Sequence, residues 1–353
     1  MNREQTIFLD TTPYNATGPG LINQDTQVLN LIMYDMTLQT ECSLIGNQME
    51  WKPLIWMQHE KNSIRNLKSL RFINLEGELR NTAKQSIKDT AAGIDVIFFD
   101  VKHFGNWVFR KECQDLKHTI RETDRIHSVA YSVGTMRLNR FVLLGWCQKN
   151  NLSNIGQPLL TDNELFCFNH EYKRLMETEN NMRYENKQNR LFGEVDHDQF
   201  NKLQMSLLSS AYINFVGAYP NYDIRYGFFD EKSWYPVLCK TVPFFVGNAY
   251  DNDNLKTYGF EPYVGFDYSA DRISNPIVRW QKLLEDNKKF FLDISESKKI
   301  HNLNKEIIHY NHAKLTQTDW KKLAYQEVQS LPAHIQTILQ ENVRHLFKTL
   351  LNA

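Results

Sequence analysis

The sequence predicts an α/β fold in two lobes, each a parallel sheet covered by helices, with further helices near the C-terminal end. Three observations predict it. Short, continuously apolar runs alternate with helical patterns, which is how strands buried on both faces read. A length of 353 residues fits two domains. Hydrophobic residues make up 42% of the chain and aromatic residues 12%, enough to fill two sizeable cores.

Taken in order, residues 1–26 read as an irregular arm, because Pro13, Gly18, Pro19 and Gly20 punctuate them. Val28 to Tyr34 is the first strand and ends at Asp35. Pro53 to Met57 runs into Gln58-His59-Glu60, Leu70 to Leu75 into Glu76-Gly77, Asp95 to Phe99 into Asp100, and His127 to Ser132 into Gly134. Helical patterns fill Asn62 to Lys68, Leu79 to Ala91 and Phe109 to Glu122. Ligands of parallel sheets sit beyond the carboxyl ends of the strands, so Asp35, His59, Glu60, Glu76, Asp100 and His103 are set to line a cleft. Arg137 to Asn150 fits a helix, with Leu138, Phe141, Leu144 and Cys147 on its apolar face. Residues 150–200 are turn-rich and polar, and no chemistry is assigned to them.

Asp198 to Ser210 reads as a helix leading into the strand Tyr212 to Val216. Asp230 can cap a helix carrying Glu231 and Lys232 in its first turn, and Val242 to Val246 is the next strand. Glu261 to Tyr268 reads as a short strand with a turn. Asn275 to Phe291 is an amphipathic helix entered through Pro276, and a polar link follows it. Thr318 to Val328 and Pro332 to Leu351 are two terminal helices, the last with an apolar face of Ile335, Ile338, Leu339, Val343, Leu346 and Leu350. The expected division is 1–125, 126–300 and a closing helical part, 301–353, that packs back on the lobes.

Composition narrows the function. Lys plus Arg and Asp plus Glu each number 41, so no global field draws the chain to nucleic acid or to an acidic membrane. Five cysteines, widely spaced and without a CxxC pair, read as reduced thiols in a cytoplasm. The first residues lack the apolar core of a signal peptide, and no run is long enough for a membrane helix. A Gly-rich phosphate fingerprint and a Gly-x-Ser-x-Gly elbow are both missing from the sequence.

The chemistry concentrates between Ser209 and Phe260. A helix start offers free N–H groups and a positive dipole end to phosphate; Lys232 adds a point charge, and Glu231 can accept both hydroxyls of a ribose. The order loop, Glu231-Lys232, helix, then Val242-Pro243-Phe244-Phe245-Val246-Gly247 resembles the donor-binding segment of fucosyltransferase-like and exostosin-like glycosyltransferases. Leu255-Lys256-Thr257-Tyr258-Gly259-Phe260 resembles the Leu-x-x-x-Gly-Phe that follows in phage and bacterial members. Upstream, Arg137-Leu138-Asn139-Arg140 is similar to that group's Asn-Arg-x-x-Arg helix start, with the asparagine displaced. The resemblance spans roughly 126–265 in two pieces.

It implies a GT-B enzyme: two Rossmann-like lobes with an interlobe cleft, a nucleotide-diphosphate sugar as donor and no cofactor beyond it. On that reading Arg137, Arg140 and Lys232 neutralise the leaving diphosphate in place of a metal, and Glu231 holds the ribose. If the reaction inverts the anomeric centre, Asp100 or Glu60 deprotonates the acceptor hydroxyl. Phage enzymes of this general type attach sugars to hydroxymethylated cytosine in DNA, which makes DNA the first acceptor; Lys102, Arg110 and Lys111 beside Phe104, Trp107 and Phe109 would then meet it. Cell-surface glycan transfer and non-catalytic binding of a sugar nucleotide are the alternatives.

Three further constellations have structural readings. Asp251-Asn252-Asp253 can hold a cation under a diphosphate, yet it precedes a helix, where such residues cap N–H groups. His309 and His312 share a helix face without a third ligand, and Asp196-His197-Asp198 reads as a loop and cap.

Overall fold

The alternation builds two separate four-stranded sheets, both wholly parallel. They are seen in a computed structural model that describes residues 3–10, 22, 25–34, 64–75, 81–101, 103, 110, 114, 124–133, 138–152, 156–158, 205, 208–217, 229 and 231–342. The chain divides into two compact units, one drawn from 1–111, 223–228 and 319–353, the other from 112–222 and 229–318. Among the described residues, no helix is long and apolar enough to cross a membrane.

In the first unit, β1 (Arg3–Asp10), β2 (Thr26–Tyr34), β3 (Ser69–Asn74) and β4 (Asp95–Asp100) lie side by side in chain order. Alternation sorts their side chains onto two faces. Leu29, Leu31, Leu70 and Phe72 form one core with Ile87 of helix α1 (Asn81–Thr90) and with Ala91. Ile32, Ile73 and Leu75 form the other with Ala324 and Val328 of helix Trp320–Ser330 and Ile335 and Leu339 of helix Ala333–Asn342. Residues from the far end of the sequence thus complete the core of the first sheet.

In the second unit, β5 (His127–Val133) is followed by α2 (Leu138–Lys149) and β6 (Gly156–Pro158); β7 (Ala211–Val216) is followed by α3 (Glu231–Leu238) and β8 (Val242–Phe245). The spatial order is β6-β5-β7-β8. Pro243 is tolerated because β8 is an edge strand. Phe244 and Phe245 point to opposite faces. On one, Phe291 is fully buried, with ring centroids 4.7 Å from Phe215, 4.8 Å from Phe244 and 5.8 Å from Trp146. On the other, Phe229 meets Phe245 at 5.7 Å and Trp234 at 5.4 Å.

Three sequence expectations fail. The arm at 1–26 contains β1, paired in parallel with β2 from Arg3 to Asp10. Its polar residues hid it, and they are used: Glu4 accepts from Asn30 Nδ2 at 2.7 Å and from Arg71 Nη1 at 3.0 Å. The polar link after Leu292 is helical, and is described below. The expected strand at 261–268 joins no sheet among the described residues and bends at Gly265, whose φ is 94.

Beyond β8 come α4 (Asp251–Asn254), α5 (Pro276–Asp286), α6 (Lys288–Leu292), α7 (Ile294–Leu303) and α8 (Lys305–Gln317). Asn275 caps α5, accepting from Ile277 N at 3.0 Å with Pro276 at the first position. The buried stripe of α7 and α8 reads Ser297, Ile300, Asn304, Ile308, Asn311, Leu315, at helical spacing. Half of it is polar, so hydrophobicity alone reads a link there. Ser297 bonds Asp293 O at 2.9 Å, while the two asparagines of the stripe, with Asn287 between α5 and α6, pair with segment 261–267. Asn311 accepts the Glu261 N–H and donates to its carbonyl, both at 2.8 Å. Asn304 does the same to Val264 at 2.8 and 2.9 Å, and Asn287 to Asp267 at 2.8 and 2.8 Å. Each carboxamide takes the place of a strand partner, which is how the segment's main-chain groups are satisfied without a sheet.

Helix α3 ends in a Schellman motif with Lys240 at φ 55, Lys240 N on Val237 O at 3.2 Å and Thr241 N on Pro236 O at 3.0 Å. The Lys240 carbonyl accepts from Arg125 Nη2 at 2.8 Å and from His301 Nε2 at 3.1 Å. Burial pulls the His301 pKa down from 6.5 to about 4. His312 is likewise held at about 4, by burial and then by Lys240 and His309. The fold therefore prefers both rings neutral. Their contribution is complete above pH 6.5 and is lost as pH falls towards 4. Between pH 7 and pH 5 the two together are expected to cost about 2 kcal/mol after solvent screening, about 5 °C in Tm. A calorimetric scan of His301→Gln/His312→Gln should show a shallower acid slope; an unchanged slope would remove these rings from the acid response.

Candidate functional site

In an open parallel sheet a ligand settles where neighbouring connections leave in opposite directions. In the second unit that point lies between β5 and β7, since β5 leads to β6 on one side and β7 to β8 on the other. Helices α2 and α3 each run back from the strand before them. Their N-termini, with their positive dipole ends, therefore lie at the carboxyl edge of this sheet.

Side chains from distant elements fix that edge. Asn139, in the first turn of α2, donates from Nδ2 to Val246 O at 2.6 Å. Arg140, 2% exposed, donates from Nε to Gly217 O at 2.9 Å, at the end of β7. A Cβ on Gly217 would lie 3.0 Å from Arg140 Cγ, so glycine makes room for the arginine. Gly247 O accepts from Trp280 Nε1 at 2.5 Å and from Arg279 Nη2 at 3.5 Å. Asp251 Oδ2 accepts the Asn248 N–H at 2.7 Å, and Asp271 Oδ2 the Tyr250 N–H at 2.8 Å. Asn252 takes both main-chain groups of Tyr263, at 3.0 and 2.8 Å. Loop 246–252 is thus pre-organised by contacts from several other elements.

The start of α3 is anchored beside this loop. Phe229 packs on Phe245 and also meets Tyr258, ring centroids 5.5 Å apart. Glu231 and Lys232 are the first two residues of the helix. Pro236, inside it, has no N–H for the Lys232 carbonyl. Tyr268 stacks on Phe244 at 5.6 Å below the loop; burial first, then the Asp271 carboxylate, push its hydroxyl well above the ordinary tyrosine range.

Of the sequence-derived site residues, Arg140, Glu231 and Lys232 are brought to one sheet edge. Arg137 and Glu60 lie outside the described residues, as do Asp35, His59, Glu76, Lys102, Lys111, Phe104, Trp107, Phe109 and 196–198. Asp100 closes β4 in the first unit, where its side chain, 10% exposed, meets Lys84 Nζ at 2.6 Å and Asn74 Nδ2 at 3.4 Å. His103 Nδ1 lies 2.7 Å from Arg110 Nη1, and its backbone N–H donates to Glu327 Oε2 at 2.7 Å. A guanidinium only donates, so Nδ1 is the acceptor and the ring proton sits on Nε2. Arg110 is fully buried, 4.4 Å over the Trp320 ring. That corrects its assignment to a DNA-contacting surface: a buried arginine packed on an indole and a histidine cannot meet a phosphate.

Asp251 serves a main-chain N–H, with Asn252 spent on Tyr263. No group of three or more His, Cys, Asp or Glu able to hold a metal ion occurs among the described residues. The sequence marked Asn139 only as a displaced asparagine, and it gave no sign of Trp280, Arg279 or Asp271. Their partners on the loop are 21 or more residues away in the chain, where no period betrays them. Comparison with protein-family models, with curated proteins and with solved structures found no match for this chain.

Proposed function

We propose that this chain is a metal-independent glycosyltransferase of the GT-B arrangement, with the nucleotide-diphosphate sugar held by the second unit. The observation that supports it is the switch point between β5 and β7, where two helix N-termini lie beside buried Arg140 and the Glu231-Lys232 start of α3. On this reading the helix N-termini, Arg137 and Lys232 stabilise the diphosphate, and Glu231 accepts the ribose hydroxyls; Arg140, expected from the sequence to share that task, is buried and holds the end of β7 through Gly217 O instead. The acceptor oxygen attacks the anomeric carbon while Asp100 or Glu60 takes its proton. The bond from that carbon to the diphosphate oxygen breaks, and the nucleoside diphosphate leaves with the electron pair. The first acceptor is the hydroxymethyl group of 5-hydroxymethylcytosine in duplex DNA, with Lys102 and Lys111 on its phosphates.

The test uses the full chain with UDP-, GDP- and CDP-sugars. A thermal shift with at least one of them is expected, and a one-sugar mass gain on hydroxymethylated duplex DNA in the presence of EDTA. Binding without transfer to DNA or to a cell-surface glycan would leave a non-catalytic sugar-nucleotide protein. Absence of any shift would end the donor-site reading.

A further inference from the structure

Among the described residues, three that are not glycine have positive φ: Asn151 at 56, Lys240 at 55 and Tyr250 at 64. Two have an ordinary cause. Asn151 ends α2 in a Schellman motif, with Leu152 N on Cys147 O at 2.8 Å and Asn151 N on Gln148 O at 3.1 Å, and Lys240 ends α3 in the same way. Tyr250 ends no helix; it precedes α4. A bulky aromatic in the left-handed region is an outlier, and such outliers gather at ligand clamps and active sites.

Its surroundings hold it there. Val246 N makes the last ladder bond of β8, to Val216 O at 2.9 Å, and Tyr250 lies four residues beyond it on the carboxyl side. Asp271 Oδ2 fixes the Tyr250 N–H at 2.8 Å, and Tyr250 O accepts from Asn254 N at 2.9 Å. The neighbours Ala249 and Asp251 are buried, yet the Tyr250 side chain is not: the residue is 42% exposed, and its ring meets no ring of another described residue. The backbone is locked in a costly conformation and the ring stands in solvent on the loop that leaves the carboxyl end of β8.

We infer that Tyr250 is the base-stacking residue of this edge, its ring receiving the planar nucleobase of a nucleoside diphosphate whose phosphates lie towards the helix N-termini. This rests on the proposed donor site. Every base has a π-face, so stacking supplies affinity for the nucleoside part and none for the phosphates. The pairing therefore separates nucleotide from inorganic anion.

Isothermal titration of the full chain with UDP, GDP, CDP, ADP and inorganic pyrophosphate tests it. At least one nucleoside diphosphate is expected to bind more tightly than pyrophosphate. Tyr250→Leu should weaken that nucleotide about tenfold or more and leave pyrophosphate unchanged, while Tyr250→Phe stays within about twofold. Tyr250→Asn, which tolerates positive φ, should lose the nucleotide equally without a lower Tm, separating lost stacking from lost folding. Nucleotide affinity unchanged in Tyr250→Leu and Tyr250→Asn would overturn the stacking role and leave the donor site standing. Failure of every nucleoside diphosphate to bind the unsubstituted chain would overturn both.

Discussion

Replacing Asn304 by alanine is expected to lower stability by about 4 kcal/mol, about 10 °C in Tm. Asn304 is fully buried and bridges three main-chain groups: it accepts from Val264 N at 2.8 Å and donates to Val264 O and Ile300 O, both at 2.9 Å. Removing the carboxamide leaves the two Val264 groups without their partner, each at a desolvation cost of about 1–3 kcal/mol. It also opens a cavity between α7 and the extended segment. Asn304→Asp is the sharper variant. It keeps the shape and the acceptor but loses both donor bonds and places a negative charge against two carbonyls, so it should destabilise at least as much at pH 7. Exposed Lys305→Ala, one residue away, should be near neutral. Denaturant midpoints of the three variants decide it. Equal stability of Asn304→Ala and the parent chain would show that the segment is held by something else.

Replacing Lys232 by alanine is expected to cut kcat/KM for sugar transfer about 100-fold, with a raised donor KM and a lowered kcat. The premise is the proposed function, in which the lysine ammonium meets the diphosphate as negative charge grows on the leaving oxygen. Removing one such contact costs about 3 kcal/mol in other transfer reactions. Lys232→Arg should recover part of the loss, because the charge remains while the point geometry changes. Tm should stay within a degree or two, since Lys232 starts a helix whose packing comes from Trp234, Tyr235, Val237 and Leu238. Unchanged turnover would remove Lys232 from the donor site, and a large fall in Tm would mean that the helix itself had failed.

Strands β2, β3, β5, β7 and β8 were legible because each is a short apolar run bounded by turn residues, the mark that burial on both faces leaves in a parallel sheet; β4, an apolar run between Asp95 and Asp100, carries the same mark although its residues are only partly buried or exposed. Strand β1 was not legible, because its outward residues Glu4 and Gln5 are paid for by Asn30, Arg71 and Thr26, which are far away in sequence. Helices α7 and α8 were hidden for a related reason. Their buried stripe alternates Ile300, Ile308 and Leu315 with Ser297, Asn304 and Asn311, so half the inward positions look solvated.

At the candidate site, the helix starts at 138 and 231 and the strand ends at 216 and 245 were within one or two residues of their expected positions. The carboxyl edge could therefore be named beforehand. The bracing of loop 246–252 could not. Asn139 reaches Val246 across 107 positions, Trp280 reaches Gly247 across 33, and Asp271 reaches Tyr250 across 21.

The amino-acid order by itself determined the class of the fold and the parallel sense of the sheets, because local period and turn chemistry act over a few residues. Only the tertiary structure decided which polar side chains are spent inside and which ring is left outside: Arg110 and Asn304 buried, Tyr250 exposed. A hydrogen bond to a main-chain carbonyl carries no sequence pattern. Its partner is set by where the chain returns in space, and that depends on the packing of every element between.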